Sequence, residues 1–224
     1  MTAHAASLVV FDAYGTLLDV NAAVARHAQA VGPDAARLSE LWRSKQLEYT
    51  WVTSLMQRYE PFWTLTERAL EHALARLPSV PAAMRAPLLE AYRALDPYPE
   101  AADVLRALRE RGARTAVLSN GDRAMLDAAF GSAGLVPLLD AIVSVDEVRV
   151  FKTAPEVYAL VTRRFNVAAA DVLFVSSNRW DVAGATAAGF RTLWVNRAGL
   201  PDEYAALSPA AVLRDLRGML DPAQ

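Results

Sequence analysis

An aspartate delivered by an apolar run is the first group in this sequence that could do chemistry. Leu8-Val9-Val10-Phe11 precedes Asp12, and Ala13-Tyr14-Gly15-Thr16-Leu17 follows it. The run predicts a buried strand that carries Asp12 to its carboxyl end, where open α/β sheets place their ligands. A carboxylate there can act as a covalent nucleophile. A turn or helix-capping aspartate is the plainer alternative, but it leaves the four apolar residues before Asp12 unexplained. Tyr14 stands two residues on. Its phenol, with a reference pKa of about 10, is a poor proton donor to a leaving group near neutral pH. A nucleophile without an acid beside it suits a leaving group that needs no proton, such as a halide ion. Thr16 can orient Asp12 through its hydroxyl and cap the following segment at the same time.

Three more polar groups sit at the ends of strand-like runs: Ser119-Asn120, Lys152 and the stretch from Ser176 to Asp181. In a parallel sheet all strand ends lie on one edge, so these groups can converge on Asp12. Lys152 is also unusual by type. Of the 23 basic residues only Lys45 and Lys152 are lysines, the rest being arginine. A lysine kept against that bias suits a place where a compact ammonium is needed. Near Asp12 it would favour the ionised carboxylate. Asn120-Gly121 also reads as a turn pair, which accounts for the glycine better than for Ser119.

Composition removes several kinds of chemistry. The absence of cysteine excludes disulfides, thiolate catalysis and zinc–thiolate sites. The three histidines, His4, His27 and His72, all precede the middle of the chain and none follows a strand-like run. That leaves no general-base histidine for a Ser-His-Asp or Asp-His-Asp hydrolase. A net charge of −2 argues against a nucleic-acid surface. The start of the chain lacks a basic segment before its apolar run, so a cytoplasmic location without membrane attachment is expected.

The elements that must hold these groups fall into two kinds of text. From about Asn21 to Leu95 the pattern is helical throughout. Leu38, Leu41, Trp42, Lys45, Tyr49, Val52 and Met56 mark one helix, Ala69 to Leu77 a second and Met84 to Leu95 a third. After Pro97-Tyr98-Pro99, helices alternate with strands at Thr115–Leu118, Ala141–Ser144, Val172–Val175 and Thr192–Val195. The fold class is therefore α/β: a Rossmann-like, doubly wound parallel sheet with an inserted all-helical cap. The catalytic core takes 1–18 and 98–224, and the cap takes 19–97. With 54% hydrophobic residues over 224 positions, a sizeable core is expected.

The chain resembles the haloacid dehalogenase superfamily, and within it the L-2-haloacid dehalogenases (type II, or (S)-2-haloacid dehalogenases). The residues that carry the likeness are Phe11 to Leu17, Leu41-Trp42-Arg43-Ser44-Lys45-Gln46-Leu47-Glu48-Tyr49-Thr50-Trp51, Leu118 to Gly121, Phe151-Lys152 with Tyr158, and Phe174-Val175-Ser176-Ser177-Asn178-Arg179-Trp180-Asp181. Phosphatases of the superfamily carry a second aspartate where this chain has Tyr14.

The resemblance implies hydrolysis of short L-2-haloalkanoic acids to D-2-hydroxy acids through an Asp12 ester, with one inversion at C2. It implies catalytic roles for Asp12, Thr16, Lys152, Tyr158, Ser176, Asn178 and Asp181. Ser119 would take the substrate carboxylate with backbone N–H groups near Ala13 and Tyr14. Asn120 and Arg43 would face the halide, Arg43 from the cap as electrostatic support for the departing anion. Asp181 would help activate the water that cleaves the ester. Tyr14, Leu47, Phe62 and Trp180 are apolar candidates for the pocket wall; core packing is the better account of Trp42. No metal and no cofactor are expected, and a homodimer is. Two other readings stay open: a magnesium-dependent phosphatase on the same fold, against which Tyr14 stands, and a non-catalytic binding module with a relict site, against which the coincidence of Asp12, Lys152 and Asp181 stands.

Overall fold

The computed structural model describes residues 8–220. The expectations placed on the first seven residues, His4 among them, lie outside that range. Strands β1 (Leu8–Phe11), β2 (Arg114–Ser119), β3 (Ala141–Ser144), β4 (Val172–Ser176), β5 (Arg191–Val195) and β6 (Ala211–Leu213) form one parallel sheet in the order β3-β2-β1-β4-β5-β6. β1 is central and covered on both faces, which is why it reads as an unbroken apolar run rather than an alternation. Phe11 pairs with Val117 on one side and Val175 on the other, so Asp12 and Ser176 leave the sheet level with each other. The strand order reverses between β1 and β4, the place where doubly wound sheets open a crevice for ligands.

The helices are α1 (Ala22–Ala25), α2 (Ala28–Val31), α3 (Ala35–Leu55), α4 (Phe62–Arg76), α5 (Arg85–Arg93), α6 (Ala101–Glu110), α7 (Arg123–Ser132), α8 (Pro155–Phe165) and α9 (Arg179–Ala187). The first six lie between β1 and β2, five of them within residues 21–95, where there is no strand. β6 is the one strand the sequence pattern does not announce; three residues are too few to show a period. Backbone pairs clip the two ends of the helical block together. The Asp19 N–H donates to the Asp96 carbonyl at 2.8 Å, and the Tyr98 N–H donates to the Leu17 carbonyl at 2.9 Å.

α3 corrects one expectation. Its buried residues are Leu38, Trp42, Gln46, Thr50 and Thr53, not the apolar set ending in Val52 and Met56. The buried polar side chains are all satisfied, as burial requires. Gln46 Nε2 donates to Thr66 Oγ1 at 2.7 Å, and Thr50 and Thr53 donate to the Leu47 and Tyr49 carbonyls. Trp51, Val52, Leu55 and Met56 are exposed, Leu55 by 85%.

The cap is also joined to the core by a shared helix cap. Asp122 Oδ1 accepts the Met125 N–H and starts α7, while its Oδ2 accepts the Trp63 N–H in the first turn of α4 at 2.9 Å. One carboxylate thus ties the first turns of helices in both regions together.

Candidate active site

Asp12 is still tied to the sheet through its N–H, which donates to the Val175 carbonyl at 2.9 Å. The chain then turns sharply, and Gly15 (φ 95°) takes a conformation that side chains other than glycine's resist. The turn brings Thr16 back over Asp12, where its hydroxyl donates to Asp12 Oδ2 at 3.1 Å. Asn178 Nδ2 donates to the same oxygen at 2.8 Å and to the Tyr14 carbonyl at 3.2 Å. Asn178 is set in turn by its own N–H, which donates to Ser176 Oγ at 3.1 Å.

The other Asp12 oxygen belongs to Lys152. Its ammonium donates to Asp12 Oδ1 at 2.9 Å and to Asp181 Oδ2 at 2.7 Å, and it has no exposed side-chain surface. The Tyr158 hydroxyl completes the row by donating to Asp181 Oδ1 at 2.8 Å. Burial works to lower the Lys152 pKa, but Asp12 and Asp181 outweigh it and hold the ammonium above its usual value. For Asp181, burial is the larger effect. It pushes the carboxyl up to about 6 against the pull of Lys152, and Asp12 adds to the push.

Lys152 also shapes its surroundings through its backbone. Its N–H donates to Asn120 Oδ1 at 2.9 Å, which fixes the amide and leaves Asn120 Nδ2 buried without a partner among the described residues. Ser119, fully buried, accepts the Gly121 N–H on its hydroxyl oxygen at 3.1 Å. Arg43 approaches from α3. Its Nη1 donates to Gln46 Oε1 at 2.8 Å and its Nη2 to the Tyr14 carbonyl at 3.3 Å. Two carboxylates therefore share one ammonium, and the Arg43 guanidinium stands beyond them at the Tyr14 carbonyl. Burial pushes the Tyr14 phenol well above its usual range, so it is no acid at neutral pH.

No cluster of three or more His, Cys, Asp or Glu suited to a metal ion occurs among the described residues. The two carboxylates that could share a cation are bridged by the Lys152 ammonium instead.

Residues 6–189 match the haloacid dehalogenase-like hydrolase family. The chain belongs to that family. It is 47% identical over 196 residues to (S)-2-haloacid dehalogenase 1 of Pseudomonas sp. (strain CBS-3), which covers 87% of this chain and 86% of that one. Among solved structures, a dehalogenase with intermediate complex superposes with a TM-score of 0.93 at 41% identity, covering 96% of both chains. The L-2-haloacid dehalogenase from Xanthobacter autotrophicus with chloropropionic acid covalently bound has a TM-score of 0.84 at 38% identity, covering 97% of both.

In this haloacid dehalogenase-like hydrolase the sequence-derived residues fall into two groups. Asp12, Thr16, Lys152, Tyr158, Asn178 and Asp181 form one continuous hydrogen-bonded set, with Ser176 behind Asn178 and Ser119, Asn120 and Arg43 around it. The apolar candidates are more scattered. Phe62 is buried, with its ring 5.9 Å from that of Tyr14. Leu47 and Trp180 are half-buried, and Trp180 meets Trp51 edge-on at 5.7 Å. Trp42 is a packing residue whose indole donates to the Thr66 carbonyl at 2.9 Å.

The family site also contains residues that sequence reasoning missed. Gln46 holds Arg43 and is itself held by Thr66 and by Tyr92, whose ring stacks on Tyr14 at 5.8 Å. A glutamine three residues beyond Arg43 on one helix was the available signal. Ser177 donates to the Gly15 carbonyl at 2.6 Å, and its N–H donates to Thr16 Oγ1 at 2.9 Å, so it locks the turn after Asp12.

Proposed function

We propose that this chain hydrolyses short (S)-2-haloalkanoic acids to (R)-2-hydroxy acids, in the older nomenclature L-2-haloacids to D-2-hydroxy acids. An Asp12 oxygen attacks C2 on the side opposite the carbon–halogen bond. The new C2–O bond forms as the halide leaves with the bonding pair, and C2 inverts. Lys152 keeps Asp12 ionised. The unpartnered Asn120 amide and the Arg43 guanidinium take the charge that develops on the halide. Ser119 and the backbone N–H groups near Ala13 and Tyr14 take the substrate carboxylate. Tyr14, Leu47, Phe62 and Trp180 exclude water around C2.

Water then attacks the Asp12 acyl carbon. Asp181, oriented by Tyr158 and Lys152, accepts a proton from that water. The acyl–oxygen bond breaks, the hydroxy acid leaves with a proton, and C2 is not touched again. Thr16 and Asn178 keep the Asp12 carboxyl in one orientation through both steps, with Ser176 supporting Asn178.

The observation that carries this reading is the Lys152 ammonium lying 2.9 Å from Asp12 and 2.7 Å from Asp181, beside a tyrosine rather than a second carboxylate at position 14. Such a site activates a carboxylate nucleophile without a cation shared between carboxylates and without an acid for the leaving group. The test is halide release from both enantiomers of 2-chloropropanoate and from chloroacetate, with and without EDTA. Release from the (S)-enantiomer that ignores EDTA is expected. Hydrolysis of a phenyl phosphate ester that needs Mg²⁺, with no halide release, would overturn the reading.

The same reading divides the chain into a core of 1–18 and 98–224 and a cap of 19–97, which the paired backbone at Leu17–Asp19 and Asp96–Tyr98 supports. It also includes a cytoplasmic homodimer. No helix among the described residues is long and apolar enough to cross a membrane. The support for a dimer is the exposed end of α3, where Trp51, Val52, Leu55 and Met56 leave large apolar side chains in solvent. A dimer mass by light scattering is expected; a monomer across a wide concentration range would contradict it.

A further inference from the structure

Lys152 sits in a short turn between β3 and α8, and the cap reaches that turn. The Ala154 N–H donates to the Phe151 carbonyl at 3.1 Å and closes the turn just ahead of α8. The backbone N–H groups of Phe151 and Lys152 are held from opposite sides. Lys152 donates to Asn120 Oδ1 in the core at 2.9 Å, and Phe151 donates to Ser54 Oγ in the last turn of α3 at 3.1 Å. No backbone carbonyl among the described residues takes the Phe151 N–H. The Ser54 hydroxyl therefore supplies the acceptor that the N–H of this buried residue requires.

Helix geometry gives Ser54 the right face. Gln46 and Thr50 are buried on the inward stripe of α3, and Ser54 follows Thr50 by one turn. It stands about three turns beyond Arg43. One helix thus carries the guanidinium near its start and a brace for the Lys152 turn near its end. The connection after α3 packs on the same turn. The Tyr59 ring lies 5.0 Å from that of Phe151, and the Phe62 ring lies 6.1 Å from it. The Tyr59 hydroxyl donates to Asp146 Oδ1, and Asp146 Oδ2 accepts the Arg123 N–H at the start of α7 at 3.0 Å. The cap therefore grips Phe151 by ring and by backbone, while the ammonium of the next residue reaches Asp12 and Asp181.

We propose that Ser54 is a positioning residue for Lys152: by accepting the Phe151 N–H, it lets the cap fix the turn from which the ammonium reaches Asp12 and Asp181. The proposal rests on the dehalogenase reading and adds a cap residue to its machinery. Lys152 contacts both carboxylates, so a loosened turn affects both chemical steps, unlike the loss of Arg43. Substrate capture is spared, because Ser54 touches neither Ser119 nor the N–H groups near Ala13 and Tyr14.

The test is Ser54→Ala, which removes the acceptor and suits a helix, beside Ser54→Thr, which keeps a hydroxyl. Ester formation from (S)-2-chloropropanoate and ester decay are followed separately in single turnovers. In Ser54→Ala both steps are expected to slow by roughly tenfold or more, as a small misplacement of a catalytic group does. KM is expected to change by less than about threefold. The readout specific to Lys152 is the pH at which ester decay is lost. The Asp181 carboxyl faces Lys152, Tyr158 and Asp12, and of these Lys152 pulls it down most strongly against burial. A displaced ammonium therefore moves that acid limb to higher pH. Ser54→Thr is expected to restore both rates and the limb. Parent-like rates and limb in Ser54→Ala, with or without a lower denaturant midpoint, overturn the proposal while leaving the dehalogenase reading intact. So does a slowing of ester formation alone, or a loss that Ser54→Thr does not reverse. Absence of halide release from the parent overturns both.

Discussion

Gly121 makes room for the ring of Tyr14: a Cβ at position 121 would stand 2.9 Å from Tyr14 Cε2 and 3.0 Å from Leu126 Cδ2. The glycine beside Asn120 is thus required by close approach. The Tyr14 ring cannot retreat, because Phe62 and Tyr92 flank it. Gly121→Ala is expected to cost about 1–3 kcal/mol of stability, as overpacking a filled core does. It should also lower kcat/KM, since Tyr14 and Asn120 both move. Denaturant midpoints and halide release measure the two effects, and an unchanged midpoint would contradict the packing described.

Asp181 predicts a pH dependence with a definite sign. Burial raises its carboxyl to about 6, although Lys152 opposes the rise. A general base must be ionised, so hydrolysis of a preformed ester should lose rate as pH falls. The loss should lie below about 6, because Asp12 carries no charge in the ester and no longer adds to the push. Folding is linked to the same group in the opposite sense. A carboxyl with a folded pKa above its unfolded value binds its proton more tightly when folded. Its contribution to stability is fully present below about 4 and lost as pH rises through about 6. Asp181→Asn should leave the ester standing at every pH. Single-turnover decay that stays flat in the parent down through the ordinary carboxylate range, about pH 4, would contradict the assignment.

The strand-end half of the site was legible because each group is announced locally. Asp12, Ser119 and Ser176 each close an apolar run, and Lys152 stands out by its rarity. Gln46, Ser177 and the closeness of Gly121 to Tyr14 were not legible, since each depends on a neighbour far along the chain. Gln46 meets Tyr92 across 46 positions and Ser177 meets Thr16 across 161. The buried face of α3 was misread for a related reason. Threonine hydroxyls bonded to carbonyls of their own helix can be buried like apolar groups, which a count of hydrophobic residues does not register.

Arg43 is placed to act on one chemical step only. If it steadies the departing halide, Arg43→Ala should slow ester formation by about two to three decades, the loss of roughly 2–4 kcal/mol of transition-state stabilisation. Hydrolysis of an ester already formed should be spared, since no halide leaves in that step. Arg43→Lys should recover little, because an ammonium cannot reach Gln46 Oε1 and the Tyr14 carbonyl with one planar group. A rise in KM with kcat unchanged would make Arg43 a substrate-capture or cap residue instead.

The covalent role of Asp12 is the claim on which the rest depends, and isotope labelling tests it most directly. With enzyme in excess over (S)-2-chloropropanoate in ¹⁸O-water, the solvent oxygen should enter the Asp12 carboxyl, and the first hydroxy acid released should carry unlabelled oxygen from Asp12. Solvent label in that first product, with none in Asp12, would mean that water attacks C2 directly and would contradict the account.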